Sequence, residues 1–275
     1  SRRRGPAVFG FTKANIYESD GDVLPEPVTM SYKSTKLGLL VSRLYLNPIS
    51  GKIIYDGLSN AMRIISGEDE IGQLSPMSIL HLAACTPDFI PLWLRKDDFD
   101  VIQEALHGHE RELLAESVDL EEERRMKGVL VVQSWIEEES LGAIENQWGV
   151  QPGDLRGRVE LLEWLIFAMR RIVSDDPELA KFGVSAQKTL FQSIDEVHRR
   201  VRFGCKSDIL GLVAIRGVGR IRAREMSSLL GVTSASDVAM MTERDCNILS
   251  EQRGWSPKLV EKMKSSAKYD SVKKH

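Results

Sequence analysis

The sequence predicts a mainly α protein with a β-hairpin near its start and a small helix-hairpin-helix-type domain at its end. Three observations carry that prediction. From Ser59 to about His198, apolar residues recur at spacings of three and four, the period of helices that bury one face. Alternation of period two is confined to residues 7–35. The last 75 residues hold a Gly-Val-Gly turn between two short helical patterns. The expected division is 1–58, the hairpin with two short helices; 59–200, an antiparallel helical bundle; and 201–275, a compact domain of four or five helices.

Composition bounds the function. At 275 residues and 42% hydrophobic content the chain can build a sizeable core, and a net charge of −3 excludes a uniformly basic nucleic-acid protein. The charge is uneven: residues 201–275 hold 14 Lys and Arg against 8 Asp and Glu, while 104–146 hold 4 against 12. Anionic partners are therefore expected at the C-terminal part. Cys85, Cys205 and Cys246 lie far apart and form no CxxC, so neither a zinc site nor a disulfide framework is signalled, which suits a reducing cytoplasm. No apolar run reaches the roughly 18 residues of a membrane span, and SRRRGP lacks the apolar core of a signal peptide.

In chain order, AVFGFTKANIYES and VTMSYKST flank Asp20-Gly21-Asp22, which reads as a hairpin turn, followed by a bend at Pro25 and Pro27. Leu37, Leu40, Val41, Leu44 and Tyr45 form a helical stripe that stops at Asn47-Pro48, and Ser50 opens a second short helix ending near Gly57. A hairpin running into a short helix is the last half of a winged-helix domain, so this segment is expected to be a partial one, its earlier helices missing. Ser75-Pro76 starts a helix that runs to Thr86-Pro87. Further helices are expected from Asp97 or Asp98, over 126–139, over 140–148 and over 178–201.

The bundle is expected to wrap round the stretch DLRGRVELLEWLIFAMRRIV, Asp154 to Val173. Asp154 suits the helix start, because its carboxylate can accept from first-turn amides, and Asp175-Asp176-Pro177 closes it. Leu155, Val159, Leu162, Ile166, Met169 and Val173 make a buried stripe that Leu161, Leu165, Ala168 and Ile172 widen. On the remaining edge, Trp164 lies on one line with Gly157, Glu160 and Arg171, flanked by Arg156, Arg158 and Arg170. Two readings stand here. The indole and neighbouring guanidiniums are a surface on which a nucleic-acid base can stack while its phosphate is held; equally, Trp164 is a core residue and the arginines pair with Glu160 and Glu163.

The most specific local motif is ILGLVAIRGVGRIRAREMSSLLG. Gly217 and Gly219 leave backbone N–H groups uncovered at a helix start, where a phosphate is favoured, and Arg216, Arg220, Arg222 and Arg224 surround that point. The alternative is an ordinary helical corner with a glycine turn. Beyond it, Thr242 with Asp245 reads as a capping box and Ser256-Pro257 as the start of a last helix. His107, His109 and Glu110 lack the second His of HExxH and are read as solvated rather than metal-binding. Gly51-Lys52 lacks the rest of a phosphate-binding loop, so no ATP site is expected.

KLGLLVSRLYLNPISGKII, SILHLAACTPDFIPLWLR, WGVQPGDLRGRVELLEWL and LVAIRGVGRIRAREM, in this order and at these separations, closely resemble the C-terminal part of archaeal Hjm-type superfamily 2 DNA helicases. The resemblance covers nearly all of the chain from about Thr35. It implies a winged helix, a helical ratchet bundle and a C-terminal helix-loop-helix domain, which in that family follow two RecA-like motor domains. It also implies ATP-driven 3′→5′ unwinding at stalled replication forks in a cytoplasmic, nucleoid-associated protein. Single-stranded or forked DNA, the motor domains and replication or repair proteins are the implied partners. ATP and Mg²⁺ would belong to the motor domains, so no cofactor and no ATPase activity are expected in this stretch.

Residue by residue, Trp164 matches the family's base-stacking Trp, and Gly157 stands where the family has its stacking Arg, with Arg156 and Arg158 on either side and Arg171 as a possible substitute. Arg220, Arg222 and Arg224 match the basic cluster proposed to grip DNA or restrain the motor. Two alternatives stay open: a region accessory to an RNA helicase, and a protein-interaction module of a repair factor.

Overall fold

The computed structural model describes residues 11–13, 32–115 and 121–272, and the protein is mainly α. Two short strands, β1 (Phe11–Lys13) and β2 (Tyr32–Ser34), pair antiparallel with Phe11 opposite Ser34 and Lys13 opposite Tyr32. The turn expected at Asp20-Gly21-Asp22 and the bend at Pro25 and Pro27 lie outside the described residues.

The chain divides into two compact units. One runs to Gly128 and resumes over Trp164–Asp195; the other comprises Val129–Glu163 and Glu196–His275. Neither division falls at 58/59 or 200/201, the boundaries expected from sequence. Helices of 15, 24 and 20 residues, α5 (Glu122–Ile136), α7 (Pro152–Asp175) and α8 (Val184–Phe203), each contribute to both units. At 1.5 Å per residue such helices outlast a single small core.

In the first unit, Thr35 caps α1 (Lys36–Arg43) through the Gly38 amide, and Asn47 caps α2 (Pro48–Ser66) through the Ile49 amide. The second of these begins at Pro48 rather than Ser50 and passes through Gly57 instead of ending there. The reason is close packing: a Cβ on Gly57 would come within 2.3 Å of a Leu82 methyl. Leu82 belongs to α3 (Pro76–Ala84), which opens with a Ser75–Ser78 capping box and is buried from Met77 to Ala84. The connection to α4 (Phe99–Gly108) is tied down by a buried pair, Lys127 Nζ to Asp98 Oδ2 at 2.5 Å, with Nζ also donating to the Trp93 carbonyl at 2.8 Å. Leu179 and Phe182, expected within one long helix, instead form a separate 3-10 turn that Gly183, at φ 106°, divides from α8.

In the second unit, α6 (Leu141–Trp148) ends on Gly149 at φ 64°. The last stretch contains α9 (Leu210–Val213), α10 (Arg220–Leu230), α11 (Ala235–Ala239), α12 (Glu243–Ser250) and α13 (Pro257–Val272). Cys205, Ile209, Leu212, Ile215, Ala223, Met226, Val238, Leu249, Val260, Met263 and Ala267 form its core. The Thr242–Asp245 capping box is present.

Candidate nucleic-acid interface

Helix α7 buries one side: Leu155, Val159, Leu162, Leu165, Ile166, Ala168, Met169, Ile172 and Val173 are all buried. The other side lies outside the core, with Gly157, Arg158, Leu161, Glu163, Trp164, Phe167 and Arg170 half-buried and Arg156, Glu160, Arg171 and Ser174 exposed. The helix starts at Pro152, two residues before Asp154, because Pro is favoured at the first helical position where its missing N–H has no partner to lose.

Trp164 therefore keeps part of its indole at the surface of a helix whose opposite side is fixed in the core. A Cβ added at Gly157 would meet no atom within 4 Å, so the position where the resembled family carries an arginine is open space. Arg156 donates to Glu160 at 2.8 Å, but both side chains are well exposed, at 81% and 61%, and the pair is solvated. Arg171 pairs with Asp175 at 2.5 Å, and Arg158 is half-buried. Arg202 and His198 of α8 approach Glu163 at 3.7 and 3.9 Å. One turn past Trp164, a cluster that sequence reading passed over joins Arg170 to Phe167, Phe191 and Asp195, with the guanidinium 5.3 Å from the Phe167 ring centre. The i,i+3 spacing of Trp164, Phe167 and Arg170 was its sequence signal.

The Gly-Val-Gly turn forms as expected. Gly217 sits at φ 88°, where an L side chain is strained, and Gly219 caps α10 without a side-chain bond. Val218 is buried beneath the turn, while Arg216, Gly217 and Gly219 are exposed.

The arginines that follow divide. Arg220 turns inward: Nη1 donates to the carbonyls of Trp135 and Gly204 at 3.1 and 3.0 Å, Nη2 to the carbonyl of Glu139 at 3.0 Å, and the guanidinium lies 3.9 Å above the Trp135 ring. Burial lowers its pKa from the ordinary arginine value, with Glu138 acting the other way. Arg224 holds Glu138 and Asp208, both at 2.6 Å. Burial pushes the Glu138 carboxyl up, but hydrogen bonds from Arg224 and the Lys206 amide outweigh it, and the net pKa is lowered. Arg220 and Arg224, expected to face a phosphate, thus have protein partners. The i,i+4 spacing of 220 and 224 on one face of α10 decides this, since that face is the packed one. Arg222, and in part Arg220, line an open cleft of about 420 Å³ with Gly219, Ile221, Glu225, Arg253, Gly254 and Trp255. Arg253 was not among the residues singled out from sequence, because no motif joins it to the Gly-Val-Gly turn in the linear order.

One metal-competent set also went unnoticed in sequence. His81 on α3 and Cys85, four residues on at its C-terminal cap, meet Glu122 of α5 in the first unit, and their potential ligand atoms lie within 4.8 Å of one another. His81 Nε2 and Glu122 Oε1 are 2.7 Å apart, a hydrogen-bond distance that accounts for their closeness without an ion. His109, by contrast, contacts Glu112 at 3.1 Å and belongs to no such set.

The family described as "Archaeal helicase, domain 4" matches residues 77–204, from the start of α3 to the end of α8, with α7 in its middle. The matched stretch resembles an archaeal helicase domain 4. Relatives extend the likeness beyond it. A protein of Methanocella arvoryzae named "ATP-dependent DNA helicase Hel308" is 31% identical over 204 residues, 71% of this chain and 25% of its own length. Proteins of the same name from Pyrococcus horikoshii and Methanococcus vannielii are 28% and 25% identical, over 70% and 82% of this chain and 25% and 28% of theirs. The chain spans about a quarter of the length of these curated relatives. It corresponds to a C-terminal region of an archaeal Hel308-type helicase. The helicase domain 4 match includes Trp164 and the other exposed positions of α7, whereas the Gly-Val-Gly turn lies beyond it. Among the described residues, no helix is long and apolar enough to cross a membrane.

Proposed function

We propose that this chain is the DNA-engaging, non-motor C-terminal region of an ATP-dependent 3′→5′ DNA helicase of replication-fork repair. The observation that carries the reading is the half-exposed Trp164 on a helix whose opposite side is buried, inside a stretch that matches an archaeal helicase domain. A rigid indole stacks on any base, at about 1–3 kcal/mol per base, and this indifference to sequence suits a strand moving past it. Arg171, exposed and seven residues further along α7, is positioned to meet a phosphate, its pairing with Asp175 being solvated. In the last domain, grip on DNA falls to Arg222, Arg216 and the amides of the Gly217–Gly219 turn rather than to Arg220 and Arg224. No ATP or Mg²⁺ is needed for these steps; both would act in motor domains elsewhere in the parent protein.

Fluorescence anisotropy with a single-stranded DNA oligomer tests this. Trp164→Ala should weaken binding about fivefold to a hundredfold, the loss of one stack, while leaving the salt dependence almost unchanged, and Trp164→Phe should restore part of it. Unaltered affinity in a folded Trp164→Ala protein would remove the ratchet role. ATPase activity in a clean preparation would remove the non-motor assignment. Binding to a repair protein but not to DNA would favour an interaction module.

A further inference from the structure

The last domain repeats itself with an offset of 37 residues, and the copy is structural as well as sequential. Arg216-Gly217 recurs as Arg253-Gly254, Leu212 as Leu249 and Met226 as Met263. Gly217 and Gly254 have φ of 88° and 85°. The turn bonds repeat too: the Ile215 and Val218 amides donate to Leu212 and Ile215 carbonyls, and the Gln252 and Trp255 amides to Leu249 and Gln252 carbonyls, all at 3.0–3.1 Å. Val218 and Trp255 are buried under their turns, and Ala223 and Val260 under the helices that follow. The second hairpin is therefore α12, the turn 251–256 and α13.

Both turns open onto the same cleft, which Gly219 and Arg222 line from one side and Arg253 and Gly254 from the other. The Trp255 indole N–H donates to Glu225 of α10 at 2.6 Å, which fastens the second turn to the helix that follows the first. Arg216 and Arg253 are exposed at equivalent positions, and Lys258 is exposed in the first turn of α13. Trp255, the aromatic of the second turn, is buried and hydrogen-bonded, so it offers no face for an unpaired base.

We infer that the two turns form one surface for duplex DNA, with each turn holding the phosphate backbone of one strand. This rests on the reading that the chain engages DNA, and deepens it by assigning paired DNA to the last domain and unpaired DNA to α7. Two like cationic turns side by side suit two backbones side by side, and a surface without an exposed stacking ring needs no unpaired base. The halves are unequal. Ser256 caps α13 through the Leu259 amide and Pro257 has no N–H, so the second turn binds mainly through Arg253 and Lys258, whereas the first also offers open amides.

The test is anisotropy of the whole chain against a short blunt-ended duplex and a single strand of the same length, over a salt series. Arg253→Gln/Lys258→Gln should weaken duplex binding about 10-fold and make its log–log salt slope shallower by roughly 1.8, about 0.9 per phosphate, with single-strand affinity kept within about twofold. Arg216→Gln/Arg222→Gln should weaken duplex binding likewise, and the four-fold variant should abolish it. Thermal unfolding confirms that the exposed Arg253/Lys258 pair is replaced without loss of fold. Unchanged duplex affinity in that variant overturns the inference, as does an equal loss on both DNAs. Wild-type binding to single strands but not to duplex also overturns it while leaving the proposed function standing; binding to neither overturns both.

Discussion

Arg220 shows why an arginine beside a glycine turn is not automatically a phosphate ligand. Its three carbonyl acceptors come from Trp135, Glu139 and Gly204, separated by up to 85 residues in the chain, and its plane is stacked on Trp135. We expect Arg220→Ala to lower stability by about 2–4 kcal/mol, with no specific effect on DNA salt dependence. Arg220→Lys should recover little, because an ammonium cannot reproduce the planar fork. Denaturant unfolding measures both. Glu138 supplies a pH signature. Its folded pKa is lowered, so the stabilisation from Arg224 is present above the ordinary glutamate pKa and is lost as pH falls through the lowered folded value. The Tm difference between wild type and Glu138→Gln should therefore be full at neutral pH and shrink as pH falls below the ordinary glutamate value of about 4.3. A difference unchanged between neutral and strongly acidic pH would show that the carboxylate charge is not its source.

At the scale of elements, α7 and α5 each have a position where one side chain reports on the whole helix. Gly157 lies on the exposed line of α7, with open space where a Cβ would project. Gly157→Arg should fold, gain up to about 1 kcal/mol from replacing a mid-helix glycine, and bind single-stranded DNA severalfold more tightly through a restored Arg beside Trp164. Tighter folding with unchanged affinity would mean that this edge does not meet DNA. On α5, Lys127 is 2% exposed and balances Asp98, whose pKa is lowered by Arg95 and Lys127 against the upward push of burial. Lys127→Met should cost about 3–5 kcal/mol, because it strands a buried carboxylate; Lys127→Met with Asp98→Leu should recover much of that loss. Equal instability of the single and double variants in urea melts would point to packing instead.

For the whole molecule, a net charge of −3 means that affinity for DNA depends on where cations are concentrated rather than on how many there are. With Arg171 as the phosphate contact proposed for a single strand on α7, the log–log salt slope on single-stranded DNA should be about −0.7, the value for one phosphate neutralised. A slope near zero would exclude a phosphate grip. A slope of −5 or steeper would mean that many more of the exposed lysines take part.

Sequence by itself determined the helical class, the buried stripe of α7, the helix start at Ser75-Pro76, the Thr242 capping box and the glycine turn at 217–219. Each depends on residues within a few positions of one another, where periodicity and capping chemistry act directly. The likeness to archaeal helicases was equally legible, because four blocks in order carry it. Tertiary structure alone decided that α2 runs through Gly57 against Leu82, that Arg220 and Arg224 face inward while Arg222 does not, and that Arg253 joins the first glycine turn at one cleft. In each case the deciding partner lies 16 to 86 residues away. Local patterns show that a side chain must be buried, paired or exposed, but only packing selects which distant group satisfies it.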